Sequence, residues 1–155
     1  MAGQVKPIPD GYHAITAYLS IKGASDAIEF YKKAFGAKEV MRMTQPDGRI
    51  GHAELQIGDS KIMLADEHPE MDFRSPRALG GTPVMLHLYV EDADMVLGRA
   101  VASGAKVLRP VQDQFYGDRS GSVADPYGHV WHVATHKEDL SMEEIGKRAA
   151  AQHKG

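Results

Sequence analysis

Glu54, His87 and His132 are the residues whose types could do chemistry in this chain, with His52 as a fourth. A carboxylate and two imidazoles supply the three N/O donors that a catalytic divalent metal (Zn, Ni or Mn) uses while leaving a position open. No short ligand motif joins them, because they lie in three separate stretches. A hydrogen-bonded Glu–His pair lining a binding pocket accounts for the same residues without any metal, and both readings stay open. Tyr18, Met43, Met63, Met85 and Tyr89 form a second group, aromatic and thioether, suited to a flat or partly apolar molecule. Tyr116 and Arg119 lie in a polar stretch that could close over such a molecule, with Arg119 offered to an anionic group. Arg119 could equally pair with Asp118, Asp125 or a neighbouring subunit. His13 and His129 read as local strand-start and turn residues, and His136 as a rim residue. His68 and His153 read as solvated.

Alternation decides which of these residues share a face. Residues 13–21 read as a strand with Ile15, Ala17, Leu19 and Ile21 on one side and Tyr18 on the other. In 50–57, Ala53, Leu55 and Ile57 oppose His52, Glu54 and Gln56. In 84–90 and 129–135, Leu86, Leu88, Trp131 and Val133 oppose Met85, His87 and His132. The apolar sets need cover. Helices over 25–35 and 93–103 supply it, burying Ile28, Tyr31, Val96 and Val101. The polar sets therefore face away from the helices. Further strands are expected at 38–44, 61–65, 106–111 and 122–124. Loops are expected at 66–83 and 112–121, and a turn at Asp125-Pro126-Tyr127-Gly128.

The order strand, helix, three strands occurs twice. Gly36-Ala37-Lys38 after the first helix matches Gly104-Ala105-Lys106 after the second, and Ile62-Met63-Leu64 aligns with Trp131-His132-Val133. The reading is α+β: two βαβββ modules, at about 13–66 and 83–136. Residues 1–12 are a leader without a signal-peptide pattern. In the tail, 137–155, Ser141-Met142-Glu143-Glu144 is a capping-box pattern that opens a helix. The net charge is −3 with no basic block, which argues against nucleic acid. No apolar run suits a membrane span. The absence of cysteine excludes disulfides and thiolate chemistry and fits a reducing cytoplasm.

Three stretches carry a family resemblance: Ala27-Ile28-Glu29-Phe30-Tyr31-Lys32-Lys33-Ala34-Phe35-Gly36-Ala37, Leu88-Tyr89-Val90-Glu91-Asp92, and Asp125-Pro126-Tyr127-Gly128-His129. They resemble the vicinal oxygen chelate superfamily, which includes glyoxalase I, bleomycin-resistance proteins, fosfomycin-resistance enzymes and extradiol dioxygenases. His52-Ala53-Glu54-Leu55 and Phe115-Tyr116-Gly117-Asp118-Arg119-Ser120-Gly121 resemble a bacterial glyoxalase-like subgroup. The resemblance implies that the two modules form paired half-open sheets around a concave cavity, a homodimer, and a divalent metal held by His and Glu at four strand positions. Those positions fall on Thr16, Met63, Met85 and His132, of which only His132 is a good ligand. Two functions follow as expectations. One is a metal-independent small-molecule binder of the bleomycin-resistance kind. The other is a metal-dependent lyase or isomerase related to glyoxalase I, using the displaced set Glu54, His87 and His132.

Overall fold

The computed structural model describes residues 3–153. The first two residues of the expected leader and the last two of the tail lie outside them. The chain divides at Gly80/Gly81 into two compact units. In the first unit, β1 (Ala17–Ile21) leads into α1 (Ala24–Phe35), followed by β2 (Lys38–Thr44), β3 (Ile50–Ile57) and β4 (Ser60–Asp66). Their sheet runs β1-β4-β3-β2, with β1 parallel to β4 and the other pairs antiparallel. After a short α2 (Pro76–Leu79), the second unit repeats the order as β5 (Met85–Tyr89), α3 (Ala93–Ala102), β6 (Lys106–Asp113), β7 (Asp118–Ala124) and β8 (Val130–His136). Its sheet runs β5-β8-β7-β6 with the same parallel pair at one edge. A final helix, α4 (Met142–Gln152), follows.

Each sheet buries one face under its own helix. α1 packs on β3 and β4, and α3 on β6, β7 and β8. Ile28, Tyr31, Ala53, Leu55 and Leu64 are wholly buried in the first unit, and Val123 and Val133 in the second. Removing a large apolar side chain of this kind from water contributes about 1.5–3 kcal/mol. The register places Tyr18 beside Met63 and Glu54 beside Met63. In the second sheet His87 stands beside His132. Trp131 and Val133 are buried against the helix side, so His132 between them faces the other way.

α1 begins one residue before the expected start, while α3 begins at Ala93 as the sequence reading had it, and the two starts are held in different ways. α1 opens at Gly23, in the left-handed region at φ 94°, without a side-chain cap of its own. Its first amides are satisfied from a distance: the Asp66 carboxylate accepts from Gly23 N at 3.0 Å and Ala24 N at 2.9 Å, and from Ile50 N at 2.7 Å. In the second unit Thr135 takes that place. Its hydroxyl accepts from Ala93 N at 2.8 Å and donates to the Val90 carbonyl at 2.9 Å, while Asp92 caps Met95 N.

The expected loop at 112–121 is a correction. Those residues form the end of β6, a tight turn at 114–117 and the start of β7. Gln112 and Asp113 are polar because β6 is an edge strand facing water, whereas Asp118, Ser120 and Gly121 are buried in the interior strand β7. The stretch 66–83 likewise contains a short 3₁₀ turn (Pro69–Met71) and α2, each started by a proline at a position where no amide donor is needed. Val101 is exposed and Val96 only partly covered; Ala93, Leu97 and Ala100 make the buried stripe of α3 instead. In the tail, Ser141 Oγ accepts from Glu144 N as the pattern requires, while the Glu144 carboxylate pairs with Arg148.

Candidate functional site

The chemical residues fall into two clusters, one in each unit. In the first, β1 and β3 aim Tyr18, His52 and Glu54 away from α1. The Tyr18 hydroxyl lies 2.6 Å from His52 Nδ1, and His52 Nε2 lies 2.7 Å from Glu54 Oε2. Tyr12, arriving from the leader, donates to the other Glu54 oxygen. Lys61 lies over the Tyr12 ring and bonds the Gly11 carbonyl, holding that segment in place. Phe73 stands edge-on to Tyr18. Burial raises the Tyr18 phenol above its ordinary value. Both Glu54 oxygens are therefore committed to neighbours.

The second cluster surrounds a cavity of about 440 Å³. Met85 and His87 of β5 and Val130 and His132 of β8 supply one wall. Leu108 and Arg109 of β6, Ser122 of β7 and Tyr116 of the β6–β7 turn supply the rest. The His87 and His132 rings are 4.9 Å apart, and His87 lies 4.7 Å from the Tyr89 ring. Burial first, then the neighbouring His87 and Arg109, push the His132 imidazole below its ordinary value, which favours its neutral form.

Beside the cavity, buried Asp118 accepts from the Tyr89 hydroxyl at 2.7 Å and meets His136 Nδ1 at 2.8 Å. Burial works against the charged carboxylate, but the bonds to His136 and Tyr89 outweigh it and hold Asp118 below the usual carboxylate range. His136 is raised, first by Asp118 and then by Asp139. A raised imidazole stabilises the fold fully below the unfolded value of about 6.5, and that contribution is lost as pH climbs through the folded value. The melting-temperature gap between the wild type and His136→Ala should therefore be widest below about pH 6.5 and narrow across the range above it. A gap that stays constant across that range would remove the linkage.

Of the residues singled out from sequence, Met85, His87, Tyr116 and His132 come together at the cavity. Tyr18, His52 and Glu54 form the chain in the first unit. Arg119 lies on the helix side of β7, where Asp94 takes it with two bonds of 2.7 and 3.0 Å and Asp113 with a third of 3.2 Å. Arg109 was missed. Its signal in the sequence was Pro110: a proline inside a strand pattern marks an edge or a bulge, where alternation no longer assigns faces.

The metal positions implied by the resemblance do not fit a hard divalent ion. Thr16, Met63 and Met85 bring a hydroxyl and two thioethers, leaving His132 as the one imidazole. Of the displaced set, Glu54 is bonded to Tyr12 and His52 within the first unit, and the His87 and His132 rings lie 4.9 Å apart within the second. Among the described residues, no group of three or more His, Asp or Glu side chains gathers in the manner of a metal centre. No described helix is long and apolar enough to cross a membrane.

Two βαβββ units, each with a helix-free face carrying polar and aromatic side chains, define a glyoxalase-like fold. Residues 13–133 match the Glyoxalase/Bleomycin resistance protein/Dioxygenase superfamily, and the chain belongs to it. The uncharacterised protein Mb0911c of Mycobacterium bovis is 41% identical over 145 residues, spanning 92% of this chain and 95% of the relative. The crystal structure of TioX from Micromonospora sp. ML1 is 27% identical with a TM-score of 0.61, covering 83% of this chain and 100% of TioX. The fold is also that of the fosfomycin resistance protein FosX from Listeria monocytogenes, at 17% identity and a TM-score of 0.62, covering 86% and 97% of the two chains.

Proposed function

We propose that this protein is a metal-independent small-molecule binder and that the cavity of the second unit holds the ligand. The observation that carries this reading is the cavity itself. Met85, Leu108 and Val130 give it apolar walls, and His87, Tyr116, Ser122 and His132 give it a few polar groups. A volume of about 440 Å³ falls in the range of small-molecule sites. A flat or partly apolar guest suits such a lining. A homodimer is part of the reading, and light scattering at high micromolar concentration checks it.

The test uses the neutral dye phenylnaphthylamine. Its addition should shift the His87 and His132 ring resonances of histidine-labelled protein, and Met85→Trp, which fills the cavity, should weaken the effect at least tenfold. Unmoved resonances would sink the reading. The rival is a lyase or isomerase related to glyoxalase I, and the adjacent His87 and His132 rings keep it in view. Elemental analysis before and after chelator separates the two. Stoichiometric Zn, Ni or Mn that chelator removes would replace the binder by the rival.

A further inference from the structure

Strand β6 breaks register twice, and Arg109 stands between the breaks: Val107 pairs with Val123, Arg109 with Ser122, and Gln112 with Ser120. In each interval β6 spends one residue more than β7, the signature of a bulge. On a regular strand Leu108 and Arg109 would point to opposite faces. Here both line the cavity. The bulge thus adds a guanidinium to a wall that alternation would have left apolar. Gly121 admits it: a Cβ at that position would lie 2.8 Å from the Arg109 carbonyl oxygen and 2.9 Å from Val111 N.

Among the described residues the Arg109 side chain has no ion pair or hydrogen bond. That alone means little, because the exposed Arg99 side chain on α3 has none either. The surroundings distinguish Arg109. No Asp or Glu lines the cavity, and the nearby Asp118 carboxylate is committed to Tyr89 and His136. Tyr116 and Ser122 add neutral hydroxyl groups. A permanent cation beside neutral donors and apolar walls is the complement of an oxyanion carried on a flat apolar body.

We infer that the ligand of this cavity is an organic anion and that Arg109, delivered by the β6 bulge, is its anchor. This rests on the binding reading above, and the test separates the two. Fluorescence titrations would compare anilinonaphthalene sulfonate with phenylnaphthylamine, a neutral molecule of the same ring frame. Arg109→Gln should weaken the sulfonate roughly tenfold, the loss of one charge-assisted contact, and leave the neutral dye unchanged. Arg109→Lys should recover part of the loss, since it keeps the charge without the planar fork. Unchanged binding of both dyes by Arg109→Gln would overturn the anchor while the cavity reading stands. Equal loss of both, at an unchanged melting temperature, would assign Arg109 to packing and also overturn it. Failure of either dye to bind the wild type in a manner that Met85→Trp blocks would overturn both readings.

Discussion

Asp66→Ala should destabilise the protein by about 3 kcal/mol or more, since each buried donor left without its acceptor costs about 1–3 kcal/mol. Three amides lose their acceptor together: Gly23 and Ala24 at the start of α1, and Ile50 at the start of β3. The side chain is 8% exposed, so water cannot easily replace the carboxylate. Asp66→Asn should fall between. Its amide oxygen can keep the Gly23 and Ala24 bonds, while its NH₂ meets the Ile50 N–H donor to donor. Thr135→Ala is the internal control from the second unit. It removes one acceptor, that of Ala93 N, and should cost about 1 kcal/mol. Urea unfolding of the three variants checks the order. An Asp66→Ala loss no larger than that of Thr135→Ala would refute the bridging role of the carboxylate.

Gly121→Val should be nearly as damaging. Even a single Cβ would meet the Arg109 carbonyl oxygen at 2.8 Å, and Leu97 Cδ1 and Val111 N at 2.9 Å each. Two of these three atoms are backbone, which cannot rotate aside. Gly121→Ala should cost about 1–3 kcal/mol as an overpacking change, and Gly121→Val should exceed it. Relief requires the β6 bulge to shift away from Gly121, so the same variants should weaken binding of the anionic dye more than that of the neutral one. Thermal melts with the two titrations test both halves. A Gly121→Ala protein as stable as the wild type would show that the bulge has room to shift.

Alternation made the faces of β3, β5 and β8 legible, because Ala53, Leu55, Leu86, Leu88, Trp131 and Val133 are apolar at every second position. The duplication was legible for the same reason, reinforced by the matching glycines after α1 and α3. In the first strand alternation misled at the start, since β1 begins at Ala17 and Ile15 before it is 90% exposed. The end of β6 and start of β7 were not legible. β6 is an edge strand that contains a proline and faces water, and the start of β7, although interior, is polar because Asp118 and Arg119 find partners in Tyr89, His136, Asp94 and Asp113. Arg109 was hidden by the same irregularity, since a bulge suspends the two-residue period on which the reading depends. Asp66 was hidden for another reason. It stands at the end of a strand, where an acidic residue usually marks the approach to a turn, and its three partners lie 16 to 43 positions away. The pairing of Arg119 with Asp94 depends on the strand that was taken for a loop.

The register breaks also govern how the sheets end. In both units the outermost antiparallel strand is irregular: β2 shifts register between Glu39 and Met41 and again between Met43 and Thr44, and β6 does so on both sides of Arg109. A free strand border with an even row of amides and carbonyls is a template for another chain, and an open sheet is prone to growth at such a border. Two shifts within seven or eight residues leave no long straight row to copy, and Pro110 removes one amide altogether. The distortion that carries Arg109 into the cavity therefore also protects the border from end-to-end sheet growth. A variant that regularised β6 would be expected to lose anion selectivity and gain a tendency to form fibrils.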